Sequence, residues 1–220
     1  MRKLTLLFYV LLLLGLLALP GGAQAQGGGP NPVVIFETTL GRFIVMLYPG
    51  EAPETVENFM RYVDEGFYDG TLFHRVVTDK DFRLIDPAGR KPIPYNIIQG
   101  GGYEMGMRMK RPHPPVRSEA ARAMSNKQGT IAMARGADPD SATAQFFINV
   151  KDNPSFDHKV EKDRQDETKL NTREGYTAFG KVIRGMEVVE AISQVETSKM
   201  GQHENVPVKP VFITRAYRPQ

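Results

Sequence analysis

Eight short runs of strand-forming residues, each bounded by Gly, Pro, Asn or Asp, constrain this chain more than any other feature. They are Val33–Leu40, Arg42–Tyr48, Thr71–Val77, Tyr95–Gln99, Thr130–Ala134, Gln145–Val150, Thr177–Ile183 and Val208–Tyr217. Runs this short, rich in β-branched and aromatic residues, fit strands of an all-β sheet closed on itself or folded against another. Arg42–Tyr48 alternates polar and apolar residues, and a turn at Leu40-Gly41 joins it to the preceding run as a hairpin. Only two helices interrupt the pattern. The first starts at Pro53, where proline suits a first turn, and is closed by Gly66. Val56, Phe59, Met60 and Val63 fall at i, i+3, i+4 and i+7, a single apolar stripe that belongs in the core. The second spans Gly185–Gln194, with Met186, Val189, Ala191 and Ile192 apolar. The expected architecture is a mainly β closed barrel or sandwich capped by two helices.

Two stretches break the rhythm. Residues 78–94 carry Asp79, Lys80, Asp81, Arg83, Asp86, Arg90 and Lys91, and residues 159–175 carry five basic and five acidic residues without apolar periodicity. Both read as surface loops inserted in one domain over 33–220, either solvated or forming walls beside a functional face. Upstream, Met1–Lys3 is basic, Leu4–Leu19 is nearly unbroken apolar sequence, and Ala23-Gln24-Ala25 is a small-x-small site. That order is a secretory signal peptide over 1–25, with cleavage expected after Ala25 and a flexible linker over 26–32. The apolar run is shorter than the roughly 20 residues a membrane span needs. The expected location is periplasmic or secreted, with no membrane association after cleavage.

Charge narrows the partners. Arg2 and Lys3 are two of 28 basic residues, so the chain beyond the leader carries 26 against 25 acidic ones. A nearly neutral body lacks the positive field of a nucleic-acid binder. There is no cysteine, which removes thiolate catalysis and cysteine-ligated metals. His74, His113, His158 and His203 form no His-x-His or His-Glu-x-x-His pair, so no metal site is expected. No Gly-x-Ser-x-Gly is present, and Gln99-Gly100-Gly101-Gly102 lacks the lysine ending of a phosphate loop. That segment reads as a strand end with tight turns.

The remaining signal is a series of segments in fixed order: Phe73-His74-Arg75-Val76, Ile98-Gln99-Gly100-Gly101-Gly102, Gly129–Arg135, Ser141–Ile148 and Phe179–Val182. Together they resemble the cyclophilin family of peptidyl-prolyl isomerases, and most closely its bacterial periplasmic branch. The resemblance runs from about Val33 to Tyr217. It implies a closed eight-stranded antiparallel β-barrel capped by two α-helices, with the substrate groove on the outside. It also implies isomerisation of X-Pro bonds in proline-containing polypeptides, without a cofactor and with monomer as the default state.

By the same resemblance Arg75 is the catalytic arginine, and Gln99 holds the residue before proline and orients Arg75. Phe147 is the floor of the proline pocket, with Phe146 the better candidate for barrel core because neighbours on a strand face opposite sides. Ala134 and Arg135 belong to the strand that pairs with substrate, Met133 is a further substrate-binding residue, Gln145 lines the groove, and Tyr176 sits at the pocket rim. Ile97 replaces a pocket methionine. Asn96 stands where the family usually has an aromatic wall, leaving Tyr95 or Phe82 to swing in. Ser155 stands where the family often has Trp or Phe, with Phe156 beside it, which implies weak cyclosporin binding. Two other readings fit the segments: a scaffold that holds proline-containing chains without turnover, and an envelope protein whose insertions bind a partner.

Overall fold

Alternation along Arg42–Tyr48 places Phe43, Val45 and Leu47 on one face, and all three are fully buried. The same period-2 logic, repeated around a ring, builds the molecule. The computed structural model describes residues 30–82, 94–163 and 168–219. The expected leader, most of the linker and the centre of the 78–94 stretch lie outside the described residues.

In chain order the elements begin β1 (Val33–Thr38), β2 (Gly41–Leu47), α1 (Pro53–Asp64), β3 (Thr71–Val77), β4 (Ile97–Gly100), β5 (Tyr103–Glu104) and β6 (Arg108–Met109). They continue β7 (Thr130–Met133), β8 (Phe146–Asn149), β9 (Lys159–Lys162), β10 (Leu170–Arg173), β11 (Ala178–Arg184), α2 (Met186–Ser193), β12 (Thr197–Met200), β13 (His203–Pro207) and β14 (Phe212–Tyr217). Eight of the strands close a barrel in the order β1-β14-β3-β4-β8-β7-β11-β2, and every pairing is antiparallel. Each barrel strand overlaps one of the eight runs read from sequence. The remaining strands form three separate two-stranded ribbons. One of these, β9 with β10, occupies the 159–175 stretch expected as a loop.

The interior is filled by side chains. Phe36 stacks on Phe43 with ring centroids 4.8 Å apart, and Phe59, Tyr68, Phe73 and Phe146 pack around them. Helix α1 lays Val56, Phe59, Met60 and Val63 over one opening, all four buried as their spacing predicts. Its first turn is capped from a distant loop: Thr55 N donates to Glu119 Oε2 at 2.9 Å. That buried carboxylate also pairs with Arg122, a stabilising charge at a helix N-terminus. Helix α2 covers the barrel with Val189 and Ile192.

The glycines after β4 are explained by packing. Gly101 has φ +82°, and a Cβ there would lie 2.8 Å from the rings of Phe146 and Tyr68. At Gly102 a Cβ would lie 2.5 Å from the Gln145 side chain. Gly101 lets the chain pass close to Phe146 and Tyr68, and Gly102 lets it pass close to Gln145, a side chain of the groove described next.

Candidate active site

A second apolar cluster, separate from the interior, forms on the outer face of the barrel. Val77, Ile97, Ala132, Phe147 and Ala178 are its buried members. Strand geometry creates it: Phe146 points inward and Phe147 outward, both at most 2% exposed. Register places Phe147 between Gln99 on β4 and Ala132 on β7. Tyr95, Met124, Ala134, Phe156 and Tyr176 pack against the cluster and are only partly buried. Phe147 meets Phe156 and Tyr176 edge-on at 5.6 and 5.4 Å, and Tyr95 lies 5.0 Å from Phe156. A shallow aromatic basin results, apolar at its base and polar along one side.

The polar side is a chain of three residues. Arg75 on β3 lies opposite Gln99 on β4. Its Nη1 donates to Gln99 Oε1 at 3.2 Å, and Gln99 Nε2 donates to Gln145 Oε1 at 3.0 Å. Arg75 Nη2 donates to the Tyr95 hydroxyl at 2.6 Å. Two separate acceptors therefore hold the planar guanidinium. A bulge between Phe73 and Arg75 re-aims the strand there.

Asn96 does not line the basin. It is buried, its Nδ2 donates to Asp79 Oδ1 at 2.5 Å, and its Oδ1 accepts from Asp79 N at 3.0 Å. The ion pair with Lys151 and the bond from Asn96 hold the Asp79 carboxyl below its ordinary range. The aromatic ring missing at position 96 comes instead from Tyr95, the adjacent residue. Phe82, the other candidate, has a side chain outside the described residues.

Behind the basin runs a buried amide network. Asn153 Nδ2 donates to Asn149 Oδ1 at 2.7 Å, and Asn149 Nδ2 donates to Asn126 Oδ1 at 3.2 Å. Asn126 Nδ2 donates to the carbonyls of Phe156 and Tyr176 at 3.1 and 3.2 Å. The network fixes the backbone that carries the two rim rings, and satisfied buried amides of this kind are expensive to break.

A family model for cyclophilin type peptidyl-prolyl cis-trans isomerase/CLD matches residues 33–218. The chain belongs to the cyclophilin-type peptidyl-prolyl cis-trans isomerases. It is an enzyme acting on proline-containing peptides. It is similar to peptidyl-prolyl cis-trans isomerase A of Dickeya dadantii (strain 3937), 40% identical over 200 residues and covering 91% of both chains. Peptidyl-prolyl cis-trans isomerase B of Escherichia coli (strain K12) is 39% identical over 181 residues, 82% of this chain and 96% of that one. Among solved structures, a cyclophilin type isomerase of Cryptosporidium parvum in the presence of dipeptide ala-pro superposes with TM-score 0.60. At 20% identity over 86% of this chain and 99% of that one, it shows the shared fold.

Most residues singled out from the sequence of this isomerase meet at the basin: Arg75, Gln99, Gln145, Ile97, Phe147, Phe156 and Tyr176. Met133 does not, because its side chain packs in the barrel-interior cluster. Ala134 lies just past β7 and donates its N–H to Gln145 O at 2.9 Å. The Arg135 guanidinium binds its own wall: Nη2 donates to Gly175 O at 2.8 Å, Nη1 to Gly136 O at 2.9 Å, and the group stacks over Tyr176 at 4.8 Å. Met124, which joins the basin through a bridge to Ala178, carried no sequence signal. His74, beside Arg75 in sequence, is buried and its pKa is lowered to about 4 by desolvation. It is therefore neutral at neutral pH.

Proposed function

We propose that this isomerase acts on exported polypeptides and assists their folding, with Arg75 stabilising the twisted X-Pro amide above the Phe147 basin. The observation that carries the residue assignment is the Arg75 guanidinium beside the basin, held by Gln99 and Tyr95. Rotation about an X-Pro bond meets a barrier of about 18–20 kcal/mol. No covalent bond is broken, so neither a nucleophile nor a proton relay is required. Twisting removes amide resonance and leaves a lone pair on the prolyl nitrogen. A donor fixed where that lone pair develops binds the transition state more tightly than either ground state. Every tenfold acceleration corresponds to about 1.4 kcal/mol of that difference.

In this reading the apolar basin receives the proline ring, with Phe147 as its floor and Ile97, Phe156 and Tyr176 around it. Gln99 and Gln145 hold the residue before proline. Tyr95 serves as a positioning residue, since its hydroxyl fixes one end of the guanidinium. Tyr95→Phe keeps the ring and removes that acceptor. It is expected to lower kcat about tenfold, the loss of one hydrogen bond to a charged group, with KM and melting temperature nearly unchanged. An unchanged kcat would remove Tyr95 from this role.

The basic, apolar and small-residue order of 1–25 supports export, and the near-neutral body supports a polypeptide partner rather than nucleic acid. Protein recovered from the cell envelope is expected to begin at Gln26 and to shorten the proline-limited refolding phase of an exported protein. Recovery only of the chain beginning at Met1, or a refolding phase unaltered by the mature enzyme, contradicts this reading.

A further inference from the structure

The ribbon of β9 and β10 leaves the barrel at the rim of the basin, and all eight of its residues are exposed. A two-stranded ribbon is marginal alone, and this one is secured at its base. Arg173 Nε donates to Asp157 O at 3.0 Å, and Tyr176 N donates to Phe156 O at 2.8 Å. Asp157 Oδ1 accepts from Asn126 N at 2.7 Å, so the amide network behind the basin also anchors the ribbon. Arg135 also ties down Gly175, its Nη2 donating to the Gly175 carbonyl.

The ribbon is amphipathic. Register pairs Val160 with Thr172 and Lys162 with Leu170, which puts these four residues on one face. Val160 and Leu170 are diagonal neighbours there and are 50% and 65% exposed. The other face is polar: Lys159 pairs with Glu161, and Asn171 Nδ2 donates to Asp163 Oδ2 at 2.8 Å. Among the described residues both outer edges of the ribbon lack a neighbouring strand, so main-chain groups are open to strand addition.

We propose that this face is an accessory arm of the substrate groove. It takes the extended polypeptide flanking the X-Pro bond, by strand addition at an edge and by packing apolar side chains on Val160 and Leu170. The inference rests on the reading of the basin given above. Continuity identifies the occupant. Val160 is four residues beyond Phe156, and Thr172 is four before Tyr176. Four residues span at most about 14 Å, so a chain leaving the basin in extended form reaches the arm within a few residues.

The test compares the mature protein with a Val160→Ser/Leu170→Ser variant, whose exposed sites leave the barrel intact. Three peptides serve as probes: a short blocked Ala-Pro peptide, one about four times longer with leucines flanking the Ala-Pro, and the same long peptide with serines there. Exchange rates give KM and kcat, and fluorescence anisotropy gives Kd. The variant is expected to match wild type on the short and serine-flanked peptides. On the leucine-flanked peptide KM and Kd should rise about fivefold, with kcat held. Equal Kd for the leucine-flanked peptide overturns the arm. So does a wild-type dimer at assay concentrations that the double substitution dissolves, because the face would then bind a second copy. If wild type fails to turn over the short peptide, the reading of the basin falls, while the leucine-flanked Kd still decides the arm.

Discussion

Arg75→Ala is expected to lower kcat/KM on an Ala-Pro peptide by about 10²–10³-fold, the usual consequence of removing one preorganised donor from a developing charge. Most of the loss should fall on kcat, because the basin proposed to receive the proline ring stays intact. Arg75→Lys should recover little. Lysine keeps the charge but cannot bridge Gln99 Oε1 and the Tyr95 hydroxyl with one planar group. Steady-state rates by NMR exchange, with melting temperatures for each variant, separate this from a folding defect. The partly buried guanidinium sits on the outer face, so stability should change little.

Phe147→Ala is expected to act mainly on KM. The ring is 2% exposed and edge-packed on Phe156 and Tyr176, so truncation removes the floor and loosens both rim rings. A buried Phe→Ala change costs about 3–5 kcal/mol of stability, so a loss of activity by itself would be ambiguous. Phe147→Leu resolves this. It fills most of the volume and should keep the fold, while raising KM about tenfold because a flat aromatic floor is gone. Unfolding midpoints in urea and KM on the same peptide check the two effects independently. A KM unchanged in Phe147→Leu, with normal stability, would place the proline ring elsewhere.

Much of this was legible in the sequence because burial is periodic. The stripe Val56, Phe59, Met60 and Val63 marked α1 before its contacts were known. Alternation separated Phe146 from Phe147, one in the interior and one in the basin. The three ribbons outside the barrel left weaker marks. Their strands have two to five residues, and β9 and β10 bury no face that would impose a period. Met133 lies next to Ala134 in the sequence, but its side chain packs in the interior cluster.

The supporting contacts were illegible because they are long-range. Glu119 caps Thr55 across 64 residues, and Asn126 reaches Tyr176 across 50. Polar residues of this kind look like loop residues until the fold closes around them. Tyr95 was visible only as a nearby aromatic. Its assignment needed the observation that Asn96 is turned away toward Asp79.

The most direct test of the central claim is exchange spectroscopy on a short Ala-Pro peptide in excess, with peptide binding followed in the same samples. A chain beginning at Gln26 is predicted to speed cis–trans exchange strongly, and Arg75→Ala to bind the peptide with similar affinity while losing most of that acceleration. If the two proteins bind and accelerate exchange equally, Arg75 is not the group that stabilises the twisted amide. If both bind and neither accelerates exchange, the basin holds proline without isomerising it.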